Sequence, residues 1–280
     1  MSQTLTELLR APPGRINLGE LDSAAKPGCD KEKDDGPQLM EEIGQRLAED
    51  QERLFASGRS ETDERRLLLV LQGMDTSGKG GVVRKAVGLV DPQGVSITSF
   101  KKPTKEELAH DFLWHIEKAL PEPGMMGIFD RSHYEDVLIG RVRKLADDAE
   151  IERRYGAIND WEEKLADSGV TIVKCFLHIS SDDQKERLQE RLDNPEKHWK
   201  YNPGDIDERM LWDEYQKAYE IAIERCNSEK APWFIVPSGR KWYRNWAVAT
   251  LLAEHLEAMN LEWPEADFDV EAEKKRLAAT

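Results

Sequence analysis

A chain of 280 residues, 39% hydrophobic and 34% charged, is long enough to bury a sizeable core without metals or disulfides. Its net charge of −15 excludes general affinity for nucleic acid or membrane surfaces, and no apolar run approaches the ~20 residues of a bilayer span. Three cysteines and six histidines without metal-ligand spacing exclude a zinc centre, and the cytoplasm is the expected location.

Residues 1–36, rich in Pro, Gly and charge (APPGR, AAKPGCDKEKDDGP), read as an N-terminal extension, an arm draped over the body or left mobile. Leu39, Ile43, Leu47 and Leu54 then recur at helical intervals and predict an amphipathic helix over 37–57, after which SGRSETDERR leads back to the body. LLLVL (67–71) is a bare apolar run, as a strand covered on both faces requires. GKGGVVRKAVGLV reads as the following helix and VSITSF (95–100) as a second strand. Pro103 and the spacing of Leu108, Phe112, Ile116 and Leu120 predict one helix over 103–120.

MMGIFD (125–130) is a strand ending in an acid; a helix is expected to begin near Tyr134, and a long one to cover 149–168. VTIVKCFLHI (170–179) is the most β-branched strand, and Ser180 or Ser181 is suited to cap the helix after it. The polar stretch 193–205 with two Asn-Pro steps is a loop; IDERMLWDEYQKAYEIAIERC is a helix, APWFIVPSG holds a last strand, and a final helix covers 241–259. Trp233, Trp242, Tyr243 and Trp246 read as one aromatic cluster of core or subunit interface, and 263–280 as a charged peripheral tail. Alternating strands and helices argue for an open parallel sheet with helices on both faces, whose ligands bind at the carboxyl ends of the strands.

Two loops fall there. Gly73-Met74-Asp75-Thr76-Ser77-Gly78-Lys79 has the spacing of a phosphate-binding loop between strand and helix. Gly73, Thr76, Ser77, Gly78, Gly80 and Gly81 let backbone N–H groups approach phosphate, and Lys79 is placed to reach the phosphoryl group. Gly80 stands where such loops carry a hydroxyl, and Asp75 places an acid inside a loop built for anions. The second loop, Asp130-Arg131-Ser132-His133-Tyr134-Glu135-Asp136, puts an acid at a strand end, where Mg²⁺-dependent phosphotransferases hold metal. Asp75 and Asp130 together make two hard oxygen ligands suited to Mg²⁺, with Mn²⁺ as the alternative.

Arg187 and Arg191, four apart on one helix face, lead into a loop with Lys197, His198 and Lys200, a candidate lid over about 187–205. Taken alone these residues read rather as a solvated, salt-bridged helix; beside the two phosphate-site loops they read as a lid. Lys101 and Lys102 after the second strand are candidates for anionic substrate, and His133 reads as a structural neighbour of the site.

The segments GMDTSGKGG, SFKKPTKEELAHDFLWHIEKALP, FDRSHYEDVLIGRV, KERLQERLDNPEKHWK and APWFIVPSGRKWYRNW, in this order, resemble the second family of polyphosphate kinases. The resemblance implies a P-loop kinase-like three-layer α/β/α fold with a helical lid, spanning 37–262. It implies Mg²⁺-dependent transfer of a terminal phosphoryl group between inorganic polyphosphate and a purine nucleotide, in a homodimer or homotetramer. It assigns Asp75, Lys79, Asp130, Arg131, Arg187 and Arg191 to catalysis, and Tyr134 and Glu135 to the acceptor. Glu135, where diphosphate-using members have Asn, points to the class acting on both AMP and ADP. The competing readings are an ATP-dependent nucleotide or small-molecule kinase on the same fold, and a non-catalytic polyphosphate- or nucleotide-binding protein.

Overall fold

The structure, a computed structural model, describes residues 3–59 and 63–280; residues 60–62, in the stretch expected to lead back to the body, lie outside it. In chain order the helices are α1 (Leu5–Leu9), α2 (Gly36–Ser57), α3 (Lys79–Lys85), α4 (Trp114–Glu117), α5 (Ile139–Val142), α6 (Asp148–Asp167), α7 (Ser181–Asp193), α8 (Gly204–Arg209), α9 (Trp212–Arg225), α10 (Lys241–Ala258) and α11 (Val270–Ala278). The strands are β1 (Arg66–Gln72), β2 (Val95–Ser99), β3 (Met126–Asp130), β4 (Val170–His178) and β5 (Trp233–Pro237).

All strands pair in parallel, in the order β2-β3-β1-β4-β5. Because successive side chains point to opposite faces, β1 feeds two cores at once. Leu68 and Val70 join Phe129, Ile172 and Phe176 under α6 and α9. Leu67, Leu69 and Leu71 join Ile128, Val173 and Leu177 under α2, α3 and α10. This three-layer α/β/α arrangement is P-loop kinase-like, and it brings the loops after β1 and β3 together: Leu71 is paired with Asp130.

Three expectations are corrected. The single helix over 103–120 is instead a 3₁₀ turn at Glu107–Ala109 and the one-turn α4. Extended backbone at His110 (φ −114°, ψ 172°) interrupts it, because Leu108 stays 70% exposed while the residues that enter the core, Phe112, Leu113, Ile116 and in part Leu120, all follow that break. The helix expected over 206–226 is broken at Met210–Leu211 into α8 and α9; Ile206 and Met210 are exposed, so no buried face carries the first part on into the second. The aromatic residues do not form one cluster. Trp233 packs on the α6–α9 side of the sheet and Tyr243, Trp242 and Trp246 on the other.

The arm lies on the body. Leu5, Leu9, Ala11 and Leu18 are buried, Ala11 N donates to Trp233 O over 2.8 Å, and Gly239 N donates to Ser23 O over 2.7 Å. The tail after Trp263 is exposed throughout, including α11. Cys175 and Cys226 are buried, Cys29 partly so, and all three are free thiols. Among the described residues, no helix is long and apolar enough to cross a membrane.

Candidate active site

The loop from Gly73 to Gly78 turns on three left-handed residues: Gly73 (φ 147°), Thr76 (φ 67°) and Gly78 (φ 108°). Thr76 is the costly one, since a side chain in this region is strained by about 1–3 kcal/mol and persists only where its surroundings enforce it. The enforcement is visible. Arg187, buried on α7, donates from Nη1 to Thr76 O (2.9 Å) and from Nη2 to Ser238 O (2.5 Å) and Gly239 O (3.0 Å). Arg244 on α10 donates from Nη1 to Ser77 O over 3.1 Å, and Gln184 Nε2 to Asp75 O over 3.1 Å. Gly78 is required by this arrangement, because a Cβ there would lie 1.7 Å from the Arg244 guanidinium. Gly80 is not: a Cβ there meets nothing within 4 Å.

Lys79 folds back, donating to Gly73 O over 2.7 Å. Burial lowers its ammonium pKa, and Asp75 opposes that shift. Arg131, also left-handed (φ 66°), donates from Nη2 to Asp75 Oδ1 over 3.0 Å. This ion pair stands on the wall between two cavities. One, about 700 Å³, is lined by Lys79, Arg84, Lys85, Lys101, Arg191, Lys197, Lys200, Lys241 and Arg244, with Asp75, Asp130 and Glu190 as its acids. The other, about 230 Å³, is lined by Glu135, Asp205, Glu208, Tyr215 and Tyr219 together with the Asp75–Arg131 pair. Burial raises the Glu135 carboxyl pKa, with Arg131 and Lys79 pulling it back.

The structure therefore brings together most of the residues singled out in the sequence, with differences. Arg187 sits at the rim of the basic cavity, but both of its Nη nitrogens are spent on backbone carbonyls of the phosphate loop and of the turn after β5. Arg191 donates to Lys200 O (2.9 Å) and Asp205 Oδ2 (3.1 Å), tying the lid turn Pro195–Lys200 to α8. Lys197 pairs with Glu190, and Lys200 lies over the exposed Trp199 ring at 5.0 Å. Lys101 lines the basic cavity; Lys102 does not and is exposed. Tyr134, expected at the acceptor, is wholly buried and its hydroxyl donates to Glu162 (2.8 Å), so only its neighbour Glu135 reaches the smaller cavity. His133 is likewise buried, against Glu162.

Sequence reading missed Arg244 and Asp205. Arg244 sits in the quoted APWFIVPSGRKWYRNW segment, and its partner Ser77 is 167 residues away, so no local spacing announces it. Burial and the nearby Arg187 push its pKa down to about 10, which leaves it charged at neutral pH.

Among the described residues no group of three or more His, Cys, Asp or Glu side chains converges as a metal centre. Asp75 and Asp130 line one cavity and present hard oxygen donors beside its basic wall, which fits an ion held by one or two carboxylates, water and substrate phosphate rather than by an all-protein cage.

Residues 32–264 match the family model described as polyphosphate kinase 2. The chain belongs to that family. It is 44% identical over 256 residues to the AMP/ADP-polyphosphate phosphotransferase of Meiothermus ruber, covering 91% of this chain and 94% of that protein. It is 37% identical over 263 residues to the ADP-polyphosphate phosphotransferase of Rhodopseudomonas palustris, covering 90% of this chain and 89% of that one. The crystal structure of polyphosphate kinase 2 from Arthrobacter aurescens superposes with a TM-score of 0.96 at 52% identity, over 99% of this chain and 98% of that one.

Proposed function

We propose that the protein transfers the terminal phosphoryl group of inorganic polyphosphate to AMP and ADP, giving ADP and ATP, with the reverse reaction open to it. The observation that carries the reading is the Asp75–Arg131 pair on the wall shared by the two cavities. The basic cavity suits a polyanion. The smaller one, lined by Glu135, Asp205 and Glu208, repels phosphate and suits the N–H and O–H donors of a nucleoside. A nucleotide seated there points its phosphate toward the shared wall, where Arg131 stands and beyond which Lys79 lines the basic cavity.

An acceptor phosphate oxygen is already anionic near neutral pH, so the residues chiefly position the reactants and neutralise charge. Lys79 leaves Gly73 O for the transferring group, and Arg131 bridges from Asp75 to it. Arg187 and Arg244 hold the loop carbonyls so that the loop N–H groups face the donor. Asp75 and Asp130 would hold Mg²⁺, which when bound neutralises phosphate charge. The dual-acceptor assignment is supported by Glu135 and by the name of the Meiothermus ruber relative. A homo-oligomer of two or four chains belongs to the same proposal, and light scattering on the purified protein tests it.

The deciding experiment is a coupled assay with Mg²⁺ and polyphosphate, offering AMP and ADP separately. ATP from ADP and ADP from AMP is the expected result. Product from one acceptor only would overturn the dual assignment, and product from neither would give the case to another phosphoryl donor.

A further inference from the structure

Behind the loop after β3 lies a charged network with no access to either cavity. Lys174 on β4 is 0% exposed and Glu162 on α6 is 1% exposed, and they pair at 2.6 Å. Lys174 Nζ also donates to the Tyr134 hydroxyl (2.9 Å) and to Cys226 O (2.6 Å), so all three of its protons are used. Glu162 Oε1 accepts from the Tyr134 hydroxyl (2.8 Å) and from His133 Nε2 (3.2 Å). Trp233 packs edge-on against Tyr134, and Trp161 edge-on against His133.

Burying an ion pair costs desolvation that apolar side chains of the same volume would avoid, so core stability alone does not call for this one. What the network does is directional. It takes the two consecutive side chains His133 and Tyr134 and fixes both by hydrogen bonds. Glu135 follows them directly and Arg131 precedes them across Ser132, and these two are the ones that face the shared wall and the smaller cavity. Arg131 needs such holding because its backbone is left-handed. The other anchors of this loop lie at its ends and on Ser132: Phe100 N to Asp130 O (3.2 Å), Arg131 N to Leu71 O (3.1 Å), the Arg131–Asp75 pair, Gln72 Nε2 to Ser132 Oγ (3.1 Å), and Arg154 Nη1 to Asp136 O (3.0 Å) and Oδ1 (3.1 Å).

We infer that Glu162 and Lys174 are positioning residues for the acceptor side of the reaction, fixing Arg131 and Glu135 through His133 and Tyr134. This rests on the proposal that Glu135 serves the acceptor.

Two variants of the full chain test it. Tyr134→Phe removes one hydroxyl and leaves the ring and the ion pair in place. Glu162→Leu combined with Lys174→Met removes both charges together, so that neither is left buried alone. Melting curves, and kcat and KM for the nucleotide at saturating polyphosphate, are measured for each, with and without Glu135→Gln. The expected result is a folded protein whose kcat/KM for nucleotide falls by about tenfold or more, the scale of a misplaced reacting group. Glu135→Gln is expected to cost much less in these backgrounds than in the wild type, a coupling that a merely structural pair does not produce.

Folded variants with wild-type kinetics, while Glu135→Gln alone is impaired, overturn the positioning role. So do losses that simply multiply with that of Glu135→Gln. If the double variant does not fold, Tyr134→Phe decides by the same measurements. Wild-type kinetics in Glu135→Gln alone would mark the failure of the acceptor reading instead, and would remove the inference with it.

Discussion

Lys79 donates to Gly73 O, and its lowered pKa reflects a buried position that Arg131 makes more cationic and Asp75 offsets. Lys79→Ala is expected to lower kcat by about 10²-fold or more, as loss of a donor to transition-state charge does; turnover within a few-fold of wild type would remove it from the reaction. Asp75 holds Arg131 and is the acid within the loop, so Asp75→Asn is expected to raise the Mg²⁺ concentration giving half-maximal rate, and an unchanged titration would exclude it as a ligand. These two residues were legible in the sequence because loop spacing is local: the chain itself brings Gly73, Asp75 and Lys79 together. Arg187 was legible as a residue but not in its placement. Its partners Thr76 and Ser238 lie 111 and 51 residues away, so a spacing that suggests a phosphate-facing lid arginine equally fits one that holds the loop from behind.

The strands and the long helices α2, α6 and α10 could be read from apolar runs and periodicity because each buries a continuous face in one of the two cores. The stretch 103–120 has the same periodicity without a surface to receive Leu108, which is why spacing alone misled there. The arm gave little periodic signal, since its contacts are short and scattered: Leu5 and Leu9 of the short α1 enter one core, Leu18 the other, and Ser23 sits between Gly239 N and the Asp183 carboxylate (2.6 Å). Those contacts reach the site in two steps, because Gly239 O is one of the Arg187 acceptors. A chain beginning at residue 31 gives up three buried leucines, worth roughly 1.5–3 kcal/mol each at most, and is expected to melt about 10 °C or more lower. Its kcat is expected to fall as well at temperatures where it stays folded. A melting point within about 2 °C of the full chain would show the arm to be dispensable for stability. Deleting 264–280 is the matching control: α11 buries nothing, so stability and activity are expected to be unchanged.

A protein of net charge −15 that takes a polyanion must separate its charges in space. The stretch 65–144 carries 13 basic and 10 acidic residues, a local excess visible in the sequence. Its consequence appears only when α7, the lid turn and α10 add Arg191, Lys197, Lys200, Lys241 and Arg244 to the same cavity. The field seen by an approaching chain is then attractive at the cavity and repulsive elsewhere, which steers binding to one end of the sheet. Such steering is screened beyond a Debye length of about 8 Å at physiological ionic strength and about 3 Å near 1 M salt. The smaller cavity presents the Glu135, Asp205 and Glu208 carboxylates beside the Asp75–Arg131 pair, with no further cationic lining among the described residues to attract a polyanion, and its contacts with a nucleoside act at hydrogen-bond range. Raising inert salt from about 0.05 to 0.5 M is therefore expected to raise KM for polyphosphate several-fold while moving KM for ADP much less. The effect should grow with polyphosphate length, since longer chains meet more of the basic lining, and it should shrink in a Lys197→Ala/Lys200→Ala variant. Equal salt sensitivity for donor and acceptor, measured in one titration series, would refute the division of the site into a basic donor cavity and a carboxylate-lined acceptor cavity.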